Sequence, residues 1–135
     1  MRIDHVGIAV ADFEGALGLC RDLLGVEKVE VQDVPSQGMR IAHLELENAS
    51  VEILGSTSDR SPIAGFLAKR GSGIHHICFQ VDDVRQALAQ ARAMGICLID
   101  EEPRPGSRGT LIAFLSPKDT HGALVEFCQP SDQSR

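Results

Sequence analysis

Apolar and polar residues alternate along two stretches of the chain, one close to its start and one just past its middle. In residues 5–10 every second position is a branched aliphatic residue, and residues 76–81 repeat this pattern with one phenylalanine. A period of two is typical of a β-strand that buries one face. Apolar residues at helical spacing follow at about 17–24 and 84–94. A strand followed by an amphipathic helix is therefore predicted twice.

The two stretches belong to an internal repeat. His76 lies as far after His5 as Ile112 lies after Ile41. Glu126 lies only slightly farther than this from Glu52, which predicts a longer final turn in the second copy. Similar segments that keep one offset over such a distance indicate a duplicated module.

Each copy is predicted to fold as βαβββ, in modules at about 1–58 and 72–129 of a single domain spanning 1–129. A linking helix is predicted at about 62–70, and a polar tail at 130–135. Asp12 and Asp83 are candidate caps of the first helix in each copy, and Ser61 of the linking helix. The remaining strands are predicted at about 27–32, 40–47 and 50–55, and at about 97–101, 111–115 and 123–128.

The predicted fold class is α+β, with the two modules forming a cupped mixed β-sheet around a metal-containing cleft. The aliphatic face of each sheet is expected to pack under the helices. The opposite face, which carries His5 and His76, is expected to be too polar for a second core and to line the cleft.

Composition excludes several function classes. The 135 residues include 13 Lys and Arg against 19 Asp and Glu, for a net charge of -6, which disfavours nucleic acid and anionic membranes as partners. No apolar run approaches the roughly 20 residues that span a bilayer. The strand next to Met1 leaves no room for a signal peptide, and the 4 cysteines form no CxxC pair, so we expect reduced thiols and a cytoplasmic protein.

One His–Glu pair occurs at matching positions in each copy. His5 and Glu52 form the first pair, and His76 and Glu126 the second. A single histidine or glutamate in a strand is more often exposed or structural than a ligand. Imidazole and carboxylate together, repeated in both copies, suit a divalent transition metal with positions open for substrate oxygens.

Several segments resemble a known superfamily. The chain is similar to the vicinal oxygen chelate superfamily of glyoxalases, bleomycin-resistance proteins and dioxygenases in Ile3–Ile8, Gly73–Ile77, Asp100–Pro103, Ser116–Lys118 and Leu124–Phe127. Two more segments resemble its methylmalonyl-CoA epimerase family, namely Val34–Gly38 and Ser61–Leu67. One departure is Ser116, where relatives commonly have histidine.

The resemblance implies a homodimeric, metal-dependent epimerase of propionate metabolism. It would invert the α-carbon of methylmalonyl-CoA by 1,1-proton transfer through a metal-stabilised enolate. The implied cofactor is one divalent ion per chain, Co, Ni, Mn or Zn with cobalt favoured, and the implied ligands are His5, Glu52, His76 and Glu126. The implied partner is a small acyl-CoA substrate, and Glu126 is implied to be one catalytic base as well as a ligand.

The second acid/base is an open question in the sequence. Some relatives carry a glutamate early on the strand predicted at about 40–47. The matching residue here is Ile41, which cannot transfer a proton. His43 and Glu45 share the predicted face of Ile41, and His43 is the candidate catalytic group. The alternative is that His43 simply contacts solvent or a dimer partner. Two alternative functions are a glyoxalase-like lyase or isomerase on another thioester or hemithioacetal, and a non-catalytic protein that binds a small ligand. The four implied metal ligands argue against a non-catalytic protein, because a site that only binds a small ligand needs no metal.

Overall fold

The computed structural model describes residues 1–131, so residues 132–135 of the predicted tail lie outside the described part. The described chain forms two compact units. The first unit is His5–His75, and the second consists of Met1–Asp4 with the chain from His76 onward. Among the described residues, the helices are too short or too polar to cross a lipid bilayer.

The first unit contains a four-stranded mixed sheet with the strand order β2-β3-β4-β1. Strand β1 runs parallel to β4, whereas β2, β3 and β4 are antiparallel neighbours. The elements are β1 (Arg2–Val10), α1 (Phe13–Leu24), β2 (Val29–Val34), β3 (Met39–Glu45), β4 (Ser50–Ser56) and α2 (Ala64–Arg70).

The second unit repeats this arrangement with the order β5-β8-β7-β6, in which β5 is parallel to β8. The predicted βαβββ order is therefore present in both units. The elements are β5 (Gly73–Gln80), α3 (Val84–Ala93), β6 (Arg104–Pro105), β7 (Leu111–Leu115) and β8 (Val125–Gln129).

The prediction of a strand at 97–101 is wrong. In this segment Leu98 makes an isolated bridge to Leu115, and the strand that pairs with β7 is the later β6. The reason is that a side chain takes the place of a backbone acceptor. The backbone N–H of Phe114 donates to the Asp100 carboxylate at 2.8 Å instead of to a carbonyl of a neighbouring strand. Cys97 and Ile99 still make backbone hydrogen bonds to Ser116 and Phe114, but the N–H that would continue the ladder is occupied, so pairing stops at a single bridge.

The helix caps follow the sequence prediction in the two modules and depart from it in the linking helix. The Asp12 carboxylate accepts from the N–H of Gly15, and the Asp83 carboxylate accepts from the first turn of α3. The predicted cap Ser61 does not cap α2. Its hydroxyl lies 2.6 Å from that of Ser56 instead, and α2 begins after Ile63 without a side-chain cap.

In each unit one sheet face packs against its helix, as predicted. The first core combines helix α1 with strands β3 and β4 through buried Leu17, Cys20, Val26, Ala42, Leu44 and Ile53. The second combines helix α3 with strand β7 through buried Val81, Val84, Leu88, Ala91, Ala113 and Leu115.

The opposite sheet face of the first unit carries a core that was not expected. Ile63, only 1% exposed, folds back onto this face together with the partly buried Phe66 and Leu67 of α2. The expectation that the whole face is too polar for a core is therefore wrong at one end. The buried residues of this second-face cluster are Ala9, Met39, Ile41, Leu54 and Ile63.

Candidate functional site

Three predicted site residues of the first unit meet on one sheet face. Glu52 lies directly opposite His43 across the β3–β4 ladder. The Glu52 Oε2 atom lies 3.5 Å from Nδ1 of His5 and 3.5 Å from Nδ1 of His43. His5 is 5% exposed and His43 is 2% exposed, so two imidazoles share one carboxylate oxygen away from bulk water.

A fourth polar residue joins this group, and the sequence analysis missed it. Nε2 of His43 lies 3.3 Å from the side-chain Oε1 of Gln32 on the neighbouring strand β2. Gln32 pairs in register with Ile41, so its contact with His43 is diagonal across the ladder. Alternation along β2 could have assigned Gln32 to this face, but the diagonal contact depends on the β2–β3 register.

The second unit holds the other predicted pair. Nε2 of His76 lies 3.2 Å from Oε1 of Glu126, and the two residues are 6% and 4% exposed. The rings of Phe114 and His76 meet nearly perpendicular to each other, with centroids 5.6 Å apart. Arg104 lies over Phe114 and forms an ion pair with Asp100 at 3.1 Å, which fixes the ring that supports His76.

The histidine next to His76 has a different environment. The ring of His75 meets that of Phe66 edge to face, with centroids 5.1 Å apart. This contact joins β5 to α2 within the first unit, so we assign His75 a structural role.

Two buried thiols lie beside Glu126. Cys78 faces Glu126 across the β5–β8 ladder and is fully buried, and Cys128 is 3% exposed. The hydrogen bond with the Cys128 thiol, burial and the Glu126 charge all raise the pKa of Cys78 well above its ordinary value. Cys78 is therefore a protonated thiol at neutral pH and a poor nucleophile.

A thiol-labelling experiment checks this assignment. Cys97 is exposed, whereas Cys20, Cys78 and Cys128 are buried. We expect a maleimide to label Cys97 rapidly in the native protein and the other three only after unfolding, because the reagent reaches only the exposed thiol. Mass spectrometry of the labelled peptides gives the order, and Cys97→Ser should lack the rapid phase. Equally fast labelling of Cys78 would contradict its burial.

The donor atoms in each unit suit a divalent transition metal. Two ligands that bind one ion at about 2.1 Å each lie roughly 3.0–3.4 Å apart. The His5–Glu52 and His76–Glu126 separations of 3.5 and 3.2 Å are close to this spacing. Neutral imidazole nitrogen and carboxylate oxygen are also the ligands such an ion prefers. Each unit thus presents a buried nitrogen–oxygen pair that could bind a metal.

Comparison with known proteins identifies close relatives. The family model for the glyoxalase/bleomycin resistance protein/dioxygenase superfamily matches residues 4–114. The chain is 41% identical over 130 residues to the ethylmalonyl-CoA/methylmalonyl-CoA epimerase of Cereibacter sphaeroides, covering 95% of this chain and 97% of that protein. It is 38% identical over 129 residues to human mitochondrial methylmalonyl-CoA epimerase, covering 95% and 73%.

Solved structures give the same result. A variant of Streptomyces coelicolor methylmalonyl-CoA epimerase in complex with 2-nitronate-propionyl-CoA matches with a TM-score of 0.91 and 35% identity, covering 98% of this chain and 96% of that one. A methylmalonyl-CoA epimerase in complex with methylmalonyl-CoA and NH4+ matches with a TM-score of 0.90 and 36% identity, covering 97% and 95%. The fold class predicted from the sequence is thereby confirmed.

Proposed function

The chain belongs to the glyoxalase/bleomycin resistance protein/dioxygenase superfamily, and we propose that it is an enzyme that epimerises methylmalonyl-CoA. The observation that carries the proposal is the 41% identity to a curated epimerase over nearly the whole of both chains. The two buried His–Glu pairs support it, because they supply ligand and proton-transfer groups on strands rather than on loops.

We assign both pairs to one divalent ion, with His5, Glu52, His76 and Glu126 as its ligands. This assignment rests on the sequence repeat, on the superfamily resemblance and on the donor chemistry of each pair. When bound, such an ion supplies Lewis-acid polarisation of the thioester oxygen. The repeat gives each half of the chain one imidazole and one carboxylate, a set that leaves positions open for substrate oxygens.

The reaction requires only that the α C–H bond break and re-form on the opposite face of a planar carbon. Two acid/base groups, or one mobile group, must therefore reach that carbon. We assign one role to the Glu126 carboxylate, which is buried beside His76 near the start of β8. We assign the other role to His43, an imidazole that Glu52 contacts from β4.

Deuterium exchange tests the proposed function. The purified protein is supplied with a divalent metal and one epimer of methylmalonyl-CoA in heavy water. We expect deuterium to enter the α-carbon and the other epimer to accumulate. No exchange with any of Co, Ni, Mn or Zn would overturn the proposal, and turnover of a hemithioacetal instead would favour a glyoxalase-like activity.

The variant His43→Phe tests the second acid/base. At saturating metal, we expect deuterium exchange to fall more from one epimer than from the other, because each face of the planar carbon needs its own proton donor. The matched control is His75→Phe, in which phenylalanine can keep the edge contact with Phe66. Equal, near-wild-type rates from both epimers in His43→Phe would remove His43 from proton transfer.

Further parts of the prediction rest on the superfamily resemblance alone. They are cobalt as the preferred ion, a homodimer and a role in propionate metabolism. A cytoplasmic location is a separate prediction, made from the cysteine pattern. Each stays a prediction, to be checked by metal analysis of the purified protein, its mass in solution and its location in the cell.

A further inference from the structure

The side chain of Gln32 has a polar contact that the proposed reaction does not use. Gln32 lies on β2, the edge strand of the first unit's sheet, and its Oε1 atom lies 3.3 Å from Nε2 of His43. The other ring nitrogen of His43, Nδ1, faces Glu52 Oε2 at 3.5 Å. The His43 ring is thus held between two side-chain oxygens that belong to different strands.

This arrangement restricts the rotation of the His43 ring. The ring is 2% exposed, so a nitrogen turned away from Gln32 would lose its partner without gaining water. The Gln32 amide also suits either tautomer of a neutral imidazole, because its oxygen accepts from an N–H and its nitrogen donates to a bare nitrogen. Gln32 therefore favours the ring orientation in which Nδ1 faces Glu52.

We propose that Gln32 is a positioning residue for Glu52, acting through His43. The inference rests on the proposed function in one respect, namely that Glu52 is a metal ligand. Partners beyond the ligands orient them, and their removal commonly weakens metal affinity by about 10–100-fold. Gln32 contacts His43 rather than Glu52, so we expect an effect near the lower end of that range.

The experiment uses the full chain and compares three variants. Gln32→Met keeps the length of the side chain and removes its polar end, whereas Gln32→Glu keeps an oxygen that can accept from Nε2. Val31→Thr is the matched control, because Val31 is the adjacent residue on β2, is 48% exposed and alternates to the other face. Gln32 lies on an edge strand, so we expect all three to fold, which thermal melting checks.

The first measurement needs no metal and no substrate. Long-range nitrogen–proton NMR spectra of the metal-free protein report the two ring nitrogens of His43, assigned by their loss in His43→Phe. We expect Gln32→Met to shift the Nε2 resonance and Val31→Thr to leave it unchanged. Gln32→Glu should keep the contact if Nε2 carries the proton and lose it if Nδ1 does, because a carboxylate can only accept. An unchanged Nε2 resonance in Gln32→Met would overturn the proposed contact.

The second measurement is metal affinity, obtained with zinc by competition with a chelator. We expect Gln32→Met to bind zinc about tenfold more weakly and Val31→Thr to match the wild type. Gln32→Glu should recover that loss only if its spectrum shows that the contact with Nε2 is kept. Adding Gln32→Met to His43→Phe should produce no further loss, because the effect passes through His43.

The outcomes separate this inference from the proposed function. Wild-type zinc affinity in Gln32→Met, or losses that add in the double variant, would overturn the positioning role while leaving the epimerase proposal standing. A wild-type protein that binds metal and shows the Gln32 effects, yet exchanges no α-proton of methylmalonyl-CoA, would overturn the proposed function and support the positioning role.

Discussion

Glu126→Gln is expected to lower α-proton exchange in methylmalonyl-CoA by a factor of about 10³ or more. The substitution removes the carboxylate assigned as both base and metal ligand, and a single general base commonly contributes about 10²–10⁴-fold. Glutamine has the same shape, and Glu126 is 4% exposed beside His76, so the loss reports chemistry rather than a cavity. Deuterium incorporation from heavy water at saturating metal measures the effect.

The control for this prediction is Glu102→Gln, a substitution of the same type at an exposed position. It should exchange the α-proton at the wild-type rate. A folded, metal-loaded Glu126→Gln variant that also exchanges at that rate would exclude Glu126 as the base and leave its role as a ligand to be judged by metal affinity.

Removal of the metal is expected to abolish exchange, and returning a divalent ion should restore it. We expect one ion per chain, lost from both His5→Asn and His76→Asn, because the two His–Glu pairs are assigned to the same ion. In each variant metal affinity should fall by more than the roughly 10–100-fold that is typical when a residue that only orients a ligand is removed. Elemental analysis of the gel-filtered protein gives the stoichiometry of each variant.

His121→Asn serves as the control for the histidine variants. His121 is exposed and has a φ of 58°, a conformation that asparagine tolerates well. This variant should keep both metal and activity. A second ion in the wild type, or a full complement of metal in either His5→Asn or His76→Asn, would contradict the shared site.

The sequence predicted the modular fold because its signals are local. Alternation in residues 5–10 and 76–81 depends on a strand having one buried face, and carboxylates at Asp12 and Asp83 satisfy free N–H groups within three residues. Such patterns need no knowledge of distant parts of the chain. The same locality placed His43 on the face of Ile41, whereas its 3.5 Å contact with Glu52 depends on the β3–β4 register.

The features that the sequence did not predict depend on contacts between distant residues. The Asp100 carboxylate accepts from the N–H of Phe114, and this bond displaces the predicted strand at 97–101. Gln32 meets His43 only because of the β2–β3 register. Ser61 has the composition of a helix cap, but its hydroxyl lies beside that of Ser56. Residue type alone cannot choose between such partners.

The return of Ile63 onto the sheet has an evolutionary consequence. Because Ile63 packs with Met39, Ile41 and Leu54, the segment that connects the duplicated halves is also part of the interior of one half. Insertions and deletions should therefore be tolerated at the exposed residues 59–60 and selected against at 61–67. Ile41 is constrained by the same packing, because it lies in one apolar cluster with Ile63. A lineage that replaces Ile41 with an ionisable residue must therefore also replace Ile63, since an apolar neighbour leaves a buried charge without a partner.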